Sequence, residues 1–188
     1  LNRLLLVPGL LALVTQLALA QSGVTRPVNL QIPDQGQVQL YKGSYALVIG
    51  ASDYQDNSWG DLRSVREDVA AVRKALGEKG FLVKTLLDPT SDTLIDQIND
   101  FIDQYGYEQD NRLLFYYAGH GYTQERNGRV FGYLVPVDAP KPYDNERAFF
   151  QKSIKMEQIL SWAKRIESKH ILFVFDSFFS DSVLQSSE

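Results

Sequence analysis

Four short apolar runs recur along the chain, each bounded by glycine, proline or charged residues: Tyr45–Gly50 (YALVIG), Phe81–Leu87 (FLVKTLL), Arg112–Ala118 (RLLFYYA) and His170–Phe175 (HILFVF). A nearly continuous apolar run of this length suits a strand covered on both faces, the condition of strands in a parallel sheet. Between the runs the apolar period changes to that of a helix. Val65, Val69, Val72 and Leu76 make one stripe closed by Gly80, and Leu94, Ile98, Phe101, Ile102 and Tyr105 make a second closed by Gly106. Met156, Ile159, Leu160, Ala163 and Ile166 make a third. Asn127-Gly128 is a hairpin turn signal leading into a further strand, Val130–Val135. Strands alternating with helices predict an α/β fold with a mostly parallel sheet flanked by helices.

Composition narrows the chemistry. The 188 residues carry a net charge of −4 and no cysteine. Disulfides, thiolate zinc sites and a cysteine nucleophile are therefore excluded. With only His120 and His170, a histidine-rich metal centre is not expected, and neither is a cofactor. A mildly acidic chain without a basic block does not suit nucleic acid.

The N-terminus reads separately from the fold. Arg3 precedes an apolar run from Leu4 to Ala20 that ends in Ala18-Leu19-Ala20, an A-x-A cleavage pattern. The run falls short of the roughly 20 residues of a membrane span and reads as a secretory signal peptide. An uncleaved anchor is the alternative. Export to the periplasm or beyond is expected, with cleavage after Ala20 and no membrane attachment thereafter. Residues 21–42 are polar, with Gly23, Pro27, Pro33 and Gly36 and no sustained period, and read as a leader or linker before a domain over 43–188.

In a parallel sheet, ligands sit beyond the carboxyl ends of the strands. The residues that follow the runs are Ala51-Ser52-Asp53-Tyr54, then Gly119-His120-Gly121, then Asp176-Ser177-Phe178-Phe179-Ser180. A lone strand-end histidine is often a structural residue. Flanking glycines instead let the backbone turn sharply and leave the imidazole of His120 at the strand tip, where it could serve as a general base.

Taken in order, YALVIGASDY, SVREDVAAVRKAL, GFLVKTL, RLLFYYAGHG, GYLVPVDA and HILFVFDSFFS resemble the successive motifs of the caspase-like domain. The nearest likeness is to the bacterial and plant branch, the metacaspases and orthocaspases, over Tyr45 to about Ser180. The resemblance implies the caspase–hemoglobinase type of α/β sheet and a cysteine-type endopeptidase ancestry. Its catalytic pair is a histidine in an H-G motif and a cysteine in a D-x-C motif. The histidine falls on His120, and the cysteine position on Phe178. The family also continues past the cysteine with a small-subunit segment, so 43–188 is expected to hold the large-subunit part only, C-terminally truncated. A family glycine is replaced by Asp181.

The same resemblance implies a pocket for arginine or lysine side chains, with Asp68 and Asp176 at the matching positions. A carboxylate pair suits a guanidinium or ammonium group. Asp68 could equally be a solvated charge on a helix face. Asp138 and Asp144 sit in candidate loops, but without EF-hand spacing they carry no calcium assignment. The expectation is a binding or regulatory pseudopeptidase whose ligand is a peptide or protein with basic side chains. The competing readings are a hydrolase using Ser177 or Ser180 with His120, and a nonfunctional remnant. An open edge on the fourth strand would favour self-association or a strand-supplying partner.

Overall fold

The computed structural model, which describes residues 25–177, builds its central sheet from the four apolar runs. In chain order the strands are β1 (Val28–Ile32), β2 (Gly36–Tyr41), β3 (Gly43–Gly50), β4 (Leu82–Leu87), β5 (Asn111–Ala118), β6 (Gly121–Arg126), β7 (Arg129–Leu134), β8 (Ile154–Lys155) and β9 (His170–Asp176). The helices are α1 (Ser64–Glu78), α2 (Ser91–Tyr105), α3 (Pro142–Lys152) and α4 (Met156–Arg165). The central sheet runs β4-β3-β5-β9, and every pairing in it is parallel. The expected α/β class, with a mostly parallel sheet flanked by helices, is what forms.

The apolar runs are continuous because the inner strands are covered twice. Along β3, Leu47 and Ile49 join the core made with Leu94, Ile98, Phe101 and Ile102 of α2 and with Ile159 and Trp162 of α4. The alternate residues Ala46 and Val48 pack with Val65 and Val69 of α1. A Cβ at Gly50 would come within 2.7 Å of Val69 and 2.9 Å of Val65, so the close approach of α1 to the strand end requires glycine there. At the start of α2, Thr90 Oγ1 accepts the Thr93 N–H and an Asp138 carboxylate oxygen accepts that of Ser91, two of the donors a helix start leaves open.

The structure departs from the sequence reading in four places. The leader stretch carries the antiparallel hairpin β1–β2, with apolar Leu30, Val38 and Leu40 exposed. Its polarity and prolines hid a register set by pairing rather than by core burial. The hairpin is tied to the amino end of the sheet through Tyr41, whose ring meets His170 edge-on and the Arg112 guanidinium. Second, the hairpin read at Asn127-Gly128 forms, but it gains an unread third strand, β8, and stands apart from the parallel sheet. β6, β7 and β8 form a separate antiparallel sheet, with Asn127 and Gly128 at φ of 53° and 69° in the turn. Third, α3 went unread; its stripe is broken at Asn145, which is non-helical. Fourth, β9 is an edge strand among the described residues, and Leu172 on it is 55% exposed. Its run looked doubly buried, but only Ile171, Phe173 and Phe175 pack on the main core and Val174 on the other.

Candidate active site

Parallel register aligns the carboxyl ends of three strands. Gly50 pairs with Ala118, and Ala118 with Asp176. Tyr54, His120 and Ser177 therefore all leave the sheet at one end.

His120 is fixed by the loop that follows β3. Its backbone N–H donates to Tyr54 Oη at 2.8 Å, and its Nε2 lies 2.9 Å from the carbonyl oxygen of Gly60. A carbonyl only accepts, so Nε2 carries the proton in this contact and Nδ1 keeps its lone pair. The ring packs against Tyr54 at 4.8 Å and Trp59 at 5.2 Å between centroids. The imidazole thus sits half-buried between two aromatics, and the flanking Gly119 serves close approach. A Cβ there would lie 2.8 Å from Tyr117 Oη and 2.9 Å from the Ala51 Cβ.

The loop itself is braced from the far side. Trp59 Nε1 donates to Ala139 O at 2.9 Å, Gln55 N to Val137 O at 2.8 Å, and the Lys141 ammonium lies 5.3 Å from the Trp59 ring centre. Tyr54 and Tyr117 hydroxyls both donate to Val135 O, at 3.2 and 2.8 Å. Burial pushes the Tyr54 phenol up to about 12, and burial likewise raises Tyr117. Both hydroxyls stay protonated across the neutral range, so Tyr54 can donate to Val135 while accepting from His120.

Of the two carboxylates of the sequence reading, Asp176 contacts the Tyr116 phenol, while Asp68 acts on it through its charge. Tyr116 Oη donates to Asp176 Oδ2 at 3.0 Å, and burial raises its pKa, with the charges of Asp176 and Asp68 adding to the shift. Alternation along β5 sends Tyr116 toward α1 and Tyr117 toward the opposite core. Asp68, on α1, is half-buried and Asp176 is exposed. Ser177 Oγ is buried with no hydrogen-bond partner. Phe178, Ser180 and Asp181, like residues 1–20, for which a signal peptide was expected, lie outside the described residues.

Sequence reasoning missed Trp59, Gly60 and Asp88. Asp88 ends β4 at φ 50°, accepts the Ser52 and Asp53 N–H groups at 2.7 and 3.0 Å, and pairs with Arg66. Beside it, Ser52, Asp53, Asp61, Arg63 and Arg66 line a cavity of about 230 Å³. The usable signals were a tryptophan in a polar loop and the Asp88-Pro89 strand stop. Among the described residues no three His, Cys, Asp or Glu side chains gather as a metal would need. Asp138 is engaged by Lys152 at 2.9 Å, and Asp144 lies in the first turn of α3.

Fold and site together define a parallel-sheet α/β domain with a braced histidine and an exposed carboxylate at the same end of neighbouring strands. The sequence model of the caspase domain family matches residues 44–187, and the chain belongs to that family. Human mucosa-associated lymphoid tissue lymphoma translocation protein 1 is 33% identical over 133 residues, 67% of this chain and 15% of that protein. Its mouse homologue is 33% identical over 132 residues, 67% and 14%. The chain thus spans about 15% of the length of these relatives. Among solved structures, protein GSU0716 of Geobacter sulfurreducens shares the fold at a TM-score of 0.57 and 19% identity, covering 76% of this chain and 53% of that one.

Proposed function

We propose that this caspase-family domain is a pseudopeptidase that binds peptides through arginine or lysine side chains and does not cleave them. The observation that carries the reading is the Tyr116–Asp176 hydrogen bond at the strand end that also presents His120, with the Asp68 charge adding to the field at the same phenol. A guanidinium entering there would meet two carboxylates, one of them half-buried, and a bidentate contact would favour arginine. An acidic side chain would meet repulsion.

The catalytic half of the reading rests on residue chemistry. In the family mechanism a histidine assists a thiolate that attacks the scissile carbonyl. Here a neutral His120 ring donating through Nε2 to Gly60 would have Nδ1 left as a base, but the aligned position holds Phe178, which has no lone pair and no titratable proton. General-base help alone is worth only about 10² to 10⁴ in rate. Ser177 as the substitute nucleophile gains no support, since its Oγ is buried and makes no hydrogen bond to His120 or to any other described residue, and Ser180 lies outside the described residues.

Calorimetry with a pair of peptides differing only in Arg against Asp tests the binding half. The Arg peptide is expected to bind at least tenfold more tightly, about 1.4 kcal/mol, with Asp176→Asn removing most of the difference. Equal affinities would sink the reading. Reporter peptides ending in Arg or Lys test the other half, and turnover that vanishes in His120→Ala would overturn it.

A further inference from the structure

We propose that the cavity between the loop after β3 and the start of α1 binds a small zwitterion, a free α-amino acid with a compact side chain. The proposal does not rest on the function proposed above. The lining shares no residue with Tyr54, Trp59 and Gly60, the contacts of His120. The cavity lies beyond the carboxyl ends of β3 and β4, where an open parallel sheet takes its ligands. Its volume is about 230 Å³, below the roughly 300 Å³ at which pockets for drug-sized molecules begin, so its occupant has few heavy atoms.

The charges on the walls select the class. Two carboxylates, Asp53 and Asp61, and two guanidinium groups, Arg63 and Arg66, line the cavity. No two of them pair with each other. Arg66 is taken by Asp88, which stands outside the lining, and among the described residues Asp53, Asp61 and Arg63 make no ion pair. Asp61 accepts the Tyr54 N–H at Oδ1, at 3.3 Å, and keeps Oδ2 open. A simple anion or cation would gain from one sign of charge on these walls and be repelled by the other. A molecule carrying both charges a few bonds apart gains from both.

Ser52 is the independent sign. It is 4% exposed, its N–H donates to Asp88 Oδ1 at 2.7 Å, and its carbonyl accepts the Leu62 N–H at 2.9 Å. With its backbone committed, the polar group it offers the cavity is its hydroxyl. That hydroxyl makes no hydrogen bond to a described residue, and it is not sealed in the core as those of Ser153 and Ser177 are. A hydroxyl held at a cavity wall without a protein partner is free to donate to an occupant. The bound carboxylate accepts from this hydroxyl and from Arg63, and the ammonium donates to Asp53 and to the open oxygen of Asp61.

The test is a titration of the full-length, ¹⁵N-labelled chain with glycine to about 20 mM in a constant background of about 50 mM sodium chloride. Sodium acetate and methylammonium chloride, each carrying one of glycine's two charges, are titrated in parallel. Saturable amide shifts at Ser52, Asp53 and Arg63 are expected with glycine, at a dissociation constant on the order of 1 mM, and at least tenfold weaker binding with either single ion. Arg63→Gln and Asp53→Asn should each weaken glycine binding at least tenfold, and Ser52→Ala about threefold. The exposed, unpaired Arg63 and Asp53 side chains can be replaced with the Tm of the free chain unchanged, which separates loss of binding from loss of fold. Acetate or methylammonium binding as tightly as glycine would overturn the proposal. So would shifts that never saturate, or a glycine affinity untouched in Arg63→Gln and Asp53→Asn.

Discussion

The two inner corners of the site are built to different standards. At the end of β5, His120 is held by a backbone bond to Tyr54, a ring bond to Gly60 and two aromatic neighbours, and the loop that supplies them is anchored on Val135, Val137 and Ala139. At the end of β9, Asp176 is exposed and makes its side-chain contact with a single phenol, on a strand that has one neighbour among the described residues. The first corner is preorganised by a second layer of contacts; the second relies on sheet register alone. Preorganisation of this kind matters for chemistry, whereas an accessible carboxylate matters for recognising a charged partner. The contrast fits a domain that retains a positioned base while offering an open acidic face.

Mutations along the two strands sharpen that contrast. The largest effect is expected on β5, where Phe115 is buried between Phe101 at 5.0 Å and Phe173 at 4.8 Å. Phe115→Ala should cost about 3–5 kcal/mol in urea unfolding, the range for deleting a buried aromatic. Tyr54→Phe comes next. It orphans the His120 N–H and removes one donor from Val135, with an expected loss of about 1–3 kcal/mol in urea unfolding.

The same phenols give a pH signature. Tyr54 and Tyr117 have pKa values raised above the ordinary 10.0 in the folded chain. The unfolded chain therefore loses these protons first. Stability should be intact below about pH 10 and fall between about pH 10 and 12, by up to about 1.4 kcal/mol per pH unit for each such group. Thermal melts by circular dichroism across that window check it, and Tyr54→Phe should flatten the decline. The smallest effect is expected at the open edge: Leu172→Lys, on a residue already 55% exposed, should change stability by no more than about 0.5 kcal/mol. A loss as large as that at Phe115 would mean that β9 is covered and the two corners are alike.

Much of this was legible in the residues. The four runs gave the parallel strands, and the third helical stripe gave α4 within a residue of its end. His120, Asp68 and Asp176 were singled out by motif position, and the fold puts Asp176 in hydrogen-bond contact with Tyr116. The hairpin β1–β2 was missed although Val28–Ile32 alternates apolar and polar as a strand does, because the alternation is short, set among glycines and prolines, and faces no core. Trp59 and Gly60 were missed for a related reason: their function is contact with residues far along the chain, and a polar loop gives no period to read.

What the sequence determined by itself was local: which stretches are strands or helices, where each strand ends, and that no thiol is available to react. Periodicity and strand termination depend on neighbours a few residues away, so a single chain displays them. What tertiary structure decided was the order of the strands, the edge position of β9, and the bracing of His120 by Tyr54 and Trp59. Each of these arises from packing between segments distant in sequence, where burial and hydrogen-bond geometry are fixed only when the segments meet.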